Sequence, residues 1–315
     1  MRVLLAGATG AIGRPLIRFL KQNGHTVFCL IRSAESSRLI AEMGADAVIG
    51  DALDASSIQT AIVSVRPDAV INELTSLPRH YTPAEMKAAV ERDVRVRREG
   101  NVNLLAGMRQ SGVHLYVLQS SGFWYAPGSG LADESSPLAV DAAPGVAAGS
   151  RTYMELESTA SQALGIVCVA MRYGFFYGPG TWYTSAADMG EQVRQQQVPI
   201  IGAGQGVASF VHIDDAASAT AAALESAPGA YNIVDDDPSP QSVWLPAFAR
   251  ACGAPAPPQI TEQEALATSG ADSVYYATRL RGASNEKARR QLNFRPRPLE
   301  WLDTTEVPPA AGSRV

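Results

Sequence analysis

A short apolar strand at the start of the chain runs directly into Gly7-Ala-Thr-Gly10-Ala-Ile-Gly13, followed by Arg14-Pro15. Three glycines at this spacing, between a strand and a helix, constrain the fold more than any other stretch. Missing Cβ atoms let the turn close tightly, let backbone N–H groups approach a pyrophosphate, and let the first helix pack on the strand. Pro15 suits a first helical turn, where its missing N–H has no partner to lose. The loop residues Gly7, Thr9, Gly10, Ala11, Ile12 and Gly13 are the expected cradle for a dinucleotide.

The rest of the first half agrees with that start. Short apolar runs at Arg2–Ala6, Thr26–Ile31, Ala47–Ile49, Ala69–Asn72, Leu115–Gln119 and Ile166–Met171 alternate with segments of helical period at Pro15–Asn23, Ala34–Met43, Ser56–Val65 and Pro83–Ser111. Strand–helix alternation implies βαβ crossovers and a parallel sheet. Strands apolar at nearly every position imply a sheet covered on both faces. The expected class is α/β, a doubly wound Rossmann-type sheet with a smaller C-terminal α/β substrate lobe. From Arg172 the aromatic and Gly-rich R-Y-G-F-F-Y-G-P-G-T-W-Y reads as a loop leaving the sheet. A strand–helix unit at Ser209–Leu224 and a strand at Tyr231–Val234 return to it. The nucleotide-binding domain is therefore expected over 1–173 with 209–233, the substrate lobe over 174–208 with 234–306, and a flexible tail over 307–315.

Composition excludes several function classes. A formal net charge of −5 and 18% charged residues give no basic face for nucleic acid. The one basic run, Arg92 to Arg98, has interspersed acids at helical spacing and reads as a solvated or subunit-facing helix. Cys29, Cys168 and Cys252 lie far apart among apolar neighbours, as buried thiols of a cytoplasmic protein would. No C-x-x-C or His spacing suggests a metal, and no apolar run reaches membrane-spanning length.

Residues around the glycine loop bear on the cofactor. An acid at the end of the second strand would accept the adenosine ribose hydroxyls of NAD. Here the strand ends Leu30-Ile-Arg32-Ser33, and Arg32, with Arg14, can hold a 2′-phosphate through paired charge-assisted hydrogen bonds. NADP is the expected cofactor, with NAD as the alternative. Asp51 and Ala52 follow the third strand beside the adenine position, and Leu74 and Thr75 follow the fourth as cofactor walls.

These motifs resemble the extended short-chain dehydrogenase/reductase family, whose members are often labelled NAD-dependent epimerase/dehydratases. The resemblance runs through G-A-T-G-A-I-G at 7–13, G-D-A-L-D at 50–54, N-L-L-A-G-M-R-Q-S-G-V at 103–113, Q-S-S-G-F-W-Y at 119–125, R-Y-G-F-F-Y-G-P-G at 172–180, F-V-H-I-D-D-A-A at 210–217 and S-N-E-K-A-R-R-Q-L-N-F-R-P at 284–296. It implies a homodimer packed through the helices near 83–111 and 150–164. It also implies that Ser121 hydrogen-bonds a substrate oxygen and that Tyr153 is the acid–base. The family's Tyr-x-x-x-Lys lysine falls on Glu157. Positions four apart share a helix face, so this carboxylate is expected to disfavour the phenolate. Oxidation would then be handicapped while reduction, which needs the protonated phenol, would not. Alternatively Tyr125 or Glu157 itself moves the proton.

Two departures bear on the substrate. Asp-Glu, which sugar dehydratases of the family carry after the catalytic hydroxyl, is replaced by Gly122-Phe123. The stretch Gly206–Phe210 lacks the arginine that often holds a nucleotide-sugar diphosphate, although Arg279 and Arg281 could substitute. Phe123, Trp124, Tyr125, Phe175, Phe176, Trp182 and Tyr183, with Tyr275 and Tyr276 in the small lobe, instead suit a small apolar or aromatic molecule. His212 and Asp214 read as structural, Asp214 as a helix N-cap. The expected function is NADPH-dependent reduction of a carbonyl in such a substrate, not a nucleotide sugar. The alternatives are a non-redox epimerase or isomerase, and a non-catalytic NADP-binding regulator.

Overall fold

The computed structural model describes residues 1–302; the tail expected over 307–315 lies outside the described residues. Seven strands, β1 (Arg2–Ala6), β2 (Thr26–Ile31), β3 (Asp46–Ile49), β4 (Ala69–Asn72), β5 (Leu115–Ser121), β6 (Val167–Tyr173) and β7 (Gly229–Ile233), form one parallel sheet in the order β7-β6-β5-β4-β1-β2-β3. The chain walks outward from β1 to β3, then restarts at β4 on the other side of β1. Ala6 is thus flanked by Leu30 of β2 and Asn72 of β4. Crossovers diverge at that point and open a crevice at the carboxyl ends of the strands, where ligands bind in such sheets.

Strand alternation divides the core. Val3 and Leu5 enter one layer with Leu16, Ile17 and Leu20 of α1 (Gly13–Gln22). The helix expected over Ala34–Met43 is a 3-10 turn at Ala34–Ser36 followed by α2 (Ser37–Glu42), which adds Ile40 to that layer. Leu4 and Ala6 enter the opposite layer with Ile58 and Ile62 of α3 (Ala55–Val65), Leu104 and Met108 of α4 (Pro83–Ser111) and Leu156 of α5 (Pro144–Ser161). Each such Leu or Ile contributes about 1.5–3 kcal/mol by leaving water. Helix ends follow local chemistry. Asp54 accepts from the Ser56 and Ser57 amides to start α3, and Thr82 accepts from Glu85 with Pro83 in the first turn of α4. Gly112 (φ 68°) ends α4 in the left-handed conformation.

The expected loop after Arg172 is partly strand. β6 continues to Tyr173, and Phe175–Tyr177 pairs in parallel with Phe210–His212. Gly174 permits the pairing, because a Cβ there would lie 2.6 Å from the Ser209 carbonyl oxygen. Beyond the sheet, Phe210, Trp244, Phe248 and Trp301 build a separate aromatic core for the small lobe. His212, not Asp214, caps α6 (Ile213–Ala222): its Nδ1 accepts from the Asp214 amide, while Asp214 pairs with Arg18.

Candidate active site

The glycine loop is as tight as its sequence requires. Gly7 has φ +90°, and a Cβ on it would lie 2.2 Å from the Glu73 carbonyl oxygen. A Cβ on Gly13 would lie 2.3 Å from the Gly7 carbonyl oxygen. The Gly10 amide donates to that same oxygen at 3.0 Å. Ile12 precedes α1 without a capping side chain, and the first turn carries no acid. Its amides therefore favour an anion. Thr9, Gly10, Ala11 and Arg14 are exposed on the loop, Arg14 donating to the Thr9 carbonyl. Arg32 and Ser33 are exposed just beyond β2, and Arg32 makes no ion pair among the described residues. Asp51 accepts from the Leu53 amide, and buried Ala52 accepts from Asn103 Nδ2 at 2.8 Å. The Leu74 amide donates to Asn72 Oδ1, with Thr75 exposed beside it. Taken together, a narrow cradle and uncapped helix amides fit the pyrophosphate of a nicotinamide dinucleotide.

Ser121 closes β5 at the crevice. It is 3% exposed, yet its Oγ has no hydrogen-bond partner among the described residues. A buried orphaned hydroxyl costs stability unless a ligand completes it. Tyr153, on α5, lies with its ring between Trp124, 5.6 Å away, and Arg97.

Glu157 faces elsewhere. Its two oxygens take a bidentate pair from Arg172, Nη2 at 2.6 Å and Nε at 2.8 Å, and Oε1 also accepts from Ser120. Arg172 Nη1 continues to the Tyr125 hydroxyl at 2.9 Å and the Glu134 carbonyl at 3.0 Å, and Tyr125 donates to Asn232 Oδ1. Sharing a helix face with Tyr153 thus does not make Glu157 its electrostatic partner, as the sequence had suggested. The pair ties α5 to β5 and β6. Tyr125, fully buried, belongs to this network and not to an open wall.

Different charges act on Tyr153. Burial raises its phenol pKa, the Arg97 guanidinium lowers it, and Asp93 and Glu73 raise it, leaving it above the ordinary tyrosine value. The phenol is accordingly protonated at neutral pH. Arg97 belongs to the basic run expected on a solvated or subunit-facing helix, yet its side chain is 6% exposed within the chain. Nε donates to Asp93 Oδ2 at 2.7 Å, Nη1 to Gln119 Oε1 at 3.2 Å, and Cζ sits 5.1 Å from the Tyr153 ring centroid. Glu73 is 3% exposed beneath the glycine loop. Tyr173 donates to its Oε1 at 2.8 Å, whereas Oε2 has no partner among the described residues. Burial pushes the Glu73 carboxyl up to about 8, against the opposing effects of the Tyr173 hydrogen bond and Arg97. Sequence reasoning singled out neither Arg97 nor Glu73. The signal for Glu73 was a carboxylate placed directly after four consecutive apolar or amide strand residues; Arg97 had no comparable signal.

The aromatic residues separate into two groups. Phe123 stacks on Phe175 with centroids 4.2 Å apart and meets Trp124 edge-on at 5.0 Å. Trp124 Nε1 donates to the Tyr276 hydroxyl, and Tyr183 lies between Phe175 and Phe210. Trp182 packs on Tyr81, a residue the sequence did not mark, with its Nε1 on the Arg79 carbonyl. Phe123, Trp124, Phe175, Tyr183 and Tyr276 thus gather on the Tyr153 side. Phe176, one residue along the strand, turns to the other side and packs against Tyr173. Arg281 donates to the Ser129, Gly130 and Leu131 carbonyls. No cluster of His, Cys, Asp and Glu among the described residues could hold a metal, and the three cysteines are buried and unpaired.

Comparison with known proteins adds a family and two reductases. The NAD dependent epimerase/dehydratase family profile matches residues 3–234. The chain is 39% identical over 312 residues to a 3-diazoavenalumate denitrifying reductase from a Streptomyces species, covering 96% of this chain and 98% of the relative. It is 26% identical to a 2-alkyl-3-oxoalkanoate reductase from Stenotrophomonas maltophilia, covering 81% and 77%. Among solved structures it resembles the UDP-glucose 4-epimerase of Thermus thermophilus in complex with NAD, at 25% identity and TM-score 0.70, over 94% of both chains.

Proposed function

Because the chain belongs to the NAD-dependent epimerase/dehydratase family, we propose that it is a nicotinamide-dependent reductase of a small aromatic substrate, acting at a carbon conjugated to an oxygen. A bound reduced nicotinamide supplies hydride; the chain's own residues handle the oxygen. Ser121 Oγ, buried and without a partner among the described residues, donates to that oxygen. Tyr153, kept protonated by burial, gives it a proton. Phe123, Trp124 and Phe175 present aromatic faces and exclude water.

The observation that carries the reading furthest is the match, over 96% of the chain, to a denitrifying reductase of a diazo compound, set beside a partly buried phenol with no lysine. Diazo groups persist when conjugated to an oxygen that bears the negative charge. Protonation of that oxygen leaves a diazonium carbon, which accepts hydride as the C–N bond breaks and its electrons leave with dinitrogen. Both oxygen and carbon steps then run in the reductive direction, for which a phenol, not a phenolate, is the required form. A plain carbonyl, the acceptor expected from the sequence, is the second reading. The oxoalkanoate reductase favours it, and Ser121 and Tyr153 would hold the oxygen in the same way.

NADPH is the proposed donor, supported by Arg32 and Arg14 in place of an acid after β2. A substrate other than a nucleotide sugar is supported by the absence of a cation in 206–210 and by the engagement of Arg281 with backbone carbonyls. A homodimer through α4 and α5 is supported by Val90, Val102 and Met154, apolar and exposed on those helices. The unpaired thiols support the cytoplasmic setting read from the sequence. Incubation with NADPH and either an ortho-quinone diazide or an aromatic ketone separates the readings. Dinitrogen release coupled to NADPH oxidation is expected from the first; alcohol formation would select the second. Tight NADPH binding with turnover of neither would point to an epimerase or a regulator.

A further inference from the structure

The missing lysine leaves an electrostatic gap that the tertiary structure fills from another helix. When Tyr153 gives its proton to a substrate oxygen, a phenolate remains in a partly buried, aromatic-lined site. An isolated anion there is strongly disfavoured. Glu157 cannot help, being an anion already held by Arg172.

We propose that Arg97 is the positioning residue for Tyr153, a cation supplied by α4 that stabilises the phenolate in place of a lysine on α5. The proposal rests on the reading of Tyr153 as proton donor. Its geometry is specific: the guanidinium carbon lies 5.1 Å from the phenol ring centroid, and the side chain is 6% exposed, so solvent screens the interaction little. Arg97 is also fixed. Asp93 Oδ2 takes Nε, Gln119 at the end of β5 takes Nη1, and Asp93 is itself oriented by the Ser76 amide on its other oxygen.

The groups facing Tyr153 come from every surrounding element. Arg97 and Asp93 lie on α4, Glu73 follows β4, Trp124 follows β5, and Tyr276 comes from the small lobe. Asp93 offsets part of the charge of Arg97. Glu73 is protonated below about 8 and so does not add a second anion near neutral pH. The proton balance is closed: the Tyr153 O–H bond breaks, its proton goes to the substrate oxygen, a bound reduced nicotinamide would supply the hydride, and the phenolate recovers a proton from solvent once product leaves.

A direct test needs neither substrate nor turnover. 3,5-Difluorotyrosine incorporated at position 153 ionises in an accessible range, and its fluorine NMR signal reports that one phenol. In the full-length protein we expect its midpoint to rise by about one pH unit or more in Arg97→Met, the scale a poorly screened cation at this distance exerts, and to return most of the way in Arg97→Lys. Because Arg97→Met alone exposes Asp93 as an unpaired buried charge, the comparison is repeated as Asp93→Asn against Asp93→Asn/Arg97→Met. The midpoint should fall in the first relative to the parent and rise in the second relative to Asp93→Asn. Equal midpoints with and without Arg97, in folded protein, would overturn the proposal. Such a result in an enzyme that still reduces substrate would leave Tyr153 as donor and remove only Arg97; a normal shift in a protein inert to all substrates would do the reverse.

Discussion

Restoring the family lysine at position 157 should damage this protein, and the size of the damage follows from the pair it would break. The Glu157 and Arg172 side chains are 15% and 9% exposed and joined by two short contacts. Removing one partner of such a buried pair costs about 3–5 kcal/mol, largely because the other charge is left uncompensated. Arg172 would retain the Tyr125 hydroxyl and the Glu134 carbonyl, so Glu157→Ala belongs near the lower end, about 3 kcal/mol. Glu157→Lys adds like-charge repulsion at the same place and should lose more, a large fraction of the about 5–15 kcal/mol that holds a typical domain. Urea unfolding followed by tryptophan fluorescence reads both values, provided the slope with denaturant is unchanged. The double variant Glu157→Leu/Arg172→Met, with no stranded charge, should recover much of the loss. Were Glu157→Lys as stable as the parent and more active, the structural reading of Glu157 would be wrong and the carboxylate would belong to the chemistry.

Other expectations test the remaining parts of the site. Gly7→Ala should abolish NADPH binding measured by nicotinamide fluorescence, since a left-handed φ of +90° and a Cβ 2.2 Å from the Glu73 carbonyl leave no room for the methyl group. Arg32→Ala should weaken NADPH by roughly 10–100-fold, the worth of charge-assisted hydrogen bonds of about 1.5–3 kcal/mol, and leave NADH unchanged; equal losses for both cofactors would remove Arg32 from the phosphate site. Glu73 has a folded pKa of about 8 against an ordinary value of 4.5. Between those values the unfolded chain ionises this group while the native state keeps it protonated, so its contribution to stability is full below 4.5 and is lost as pH rises to about 8. Glu73→Gln should therefore flatten the fall in stability across that window, as measured by urea unfolding at several pH values.

Much of the nucleotide half was legible because its signals are local. The glycine loop and the short apolar runs alternating with helical segments each act within a few residues, and the sheet follows from them. Ends of elements were less so. β6 gains Arg172 and Tyr173 because those residues find partners in Ser120 and Ser121 of β5, which no local pattern contains. The site was legible in its residue types more than in its pairings. Glu157 stands four residues from Tyr153, but helix geometry says only that the two share a face; Arg172, fifteen residues further on, decides where the carboxylate turns. Arg97 lies in a run of charges that reads as solvated or subunit-facing, and only the packing of α4 on α5 turns it inward. Phe175 and Phe176 differ for the opposite reason: a three-residue strand sends neighbours to opposite faces, an alternation hidden once the stretch is read as a loop.

In the proposed reaction, hydride reaches a carbon whose neighbouring oxygen is held by Ser121 and protonated by Tyr153. NADPH carrying deuterium at its transferable position tests this most directly, with an ortho-quinone diazide as acceptor and product read by mass spectrometry. The expected result is one deuterium on the carbon that lost nitrogen, one dinitrogen released per NADPH oxidised, and a loss of at least about tenfold in rate with Tyr153→Phe. Product without deuterium, or full activity in both Tyr153→Phe and Ser121→Ala, would contradict it.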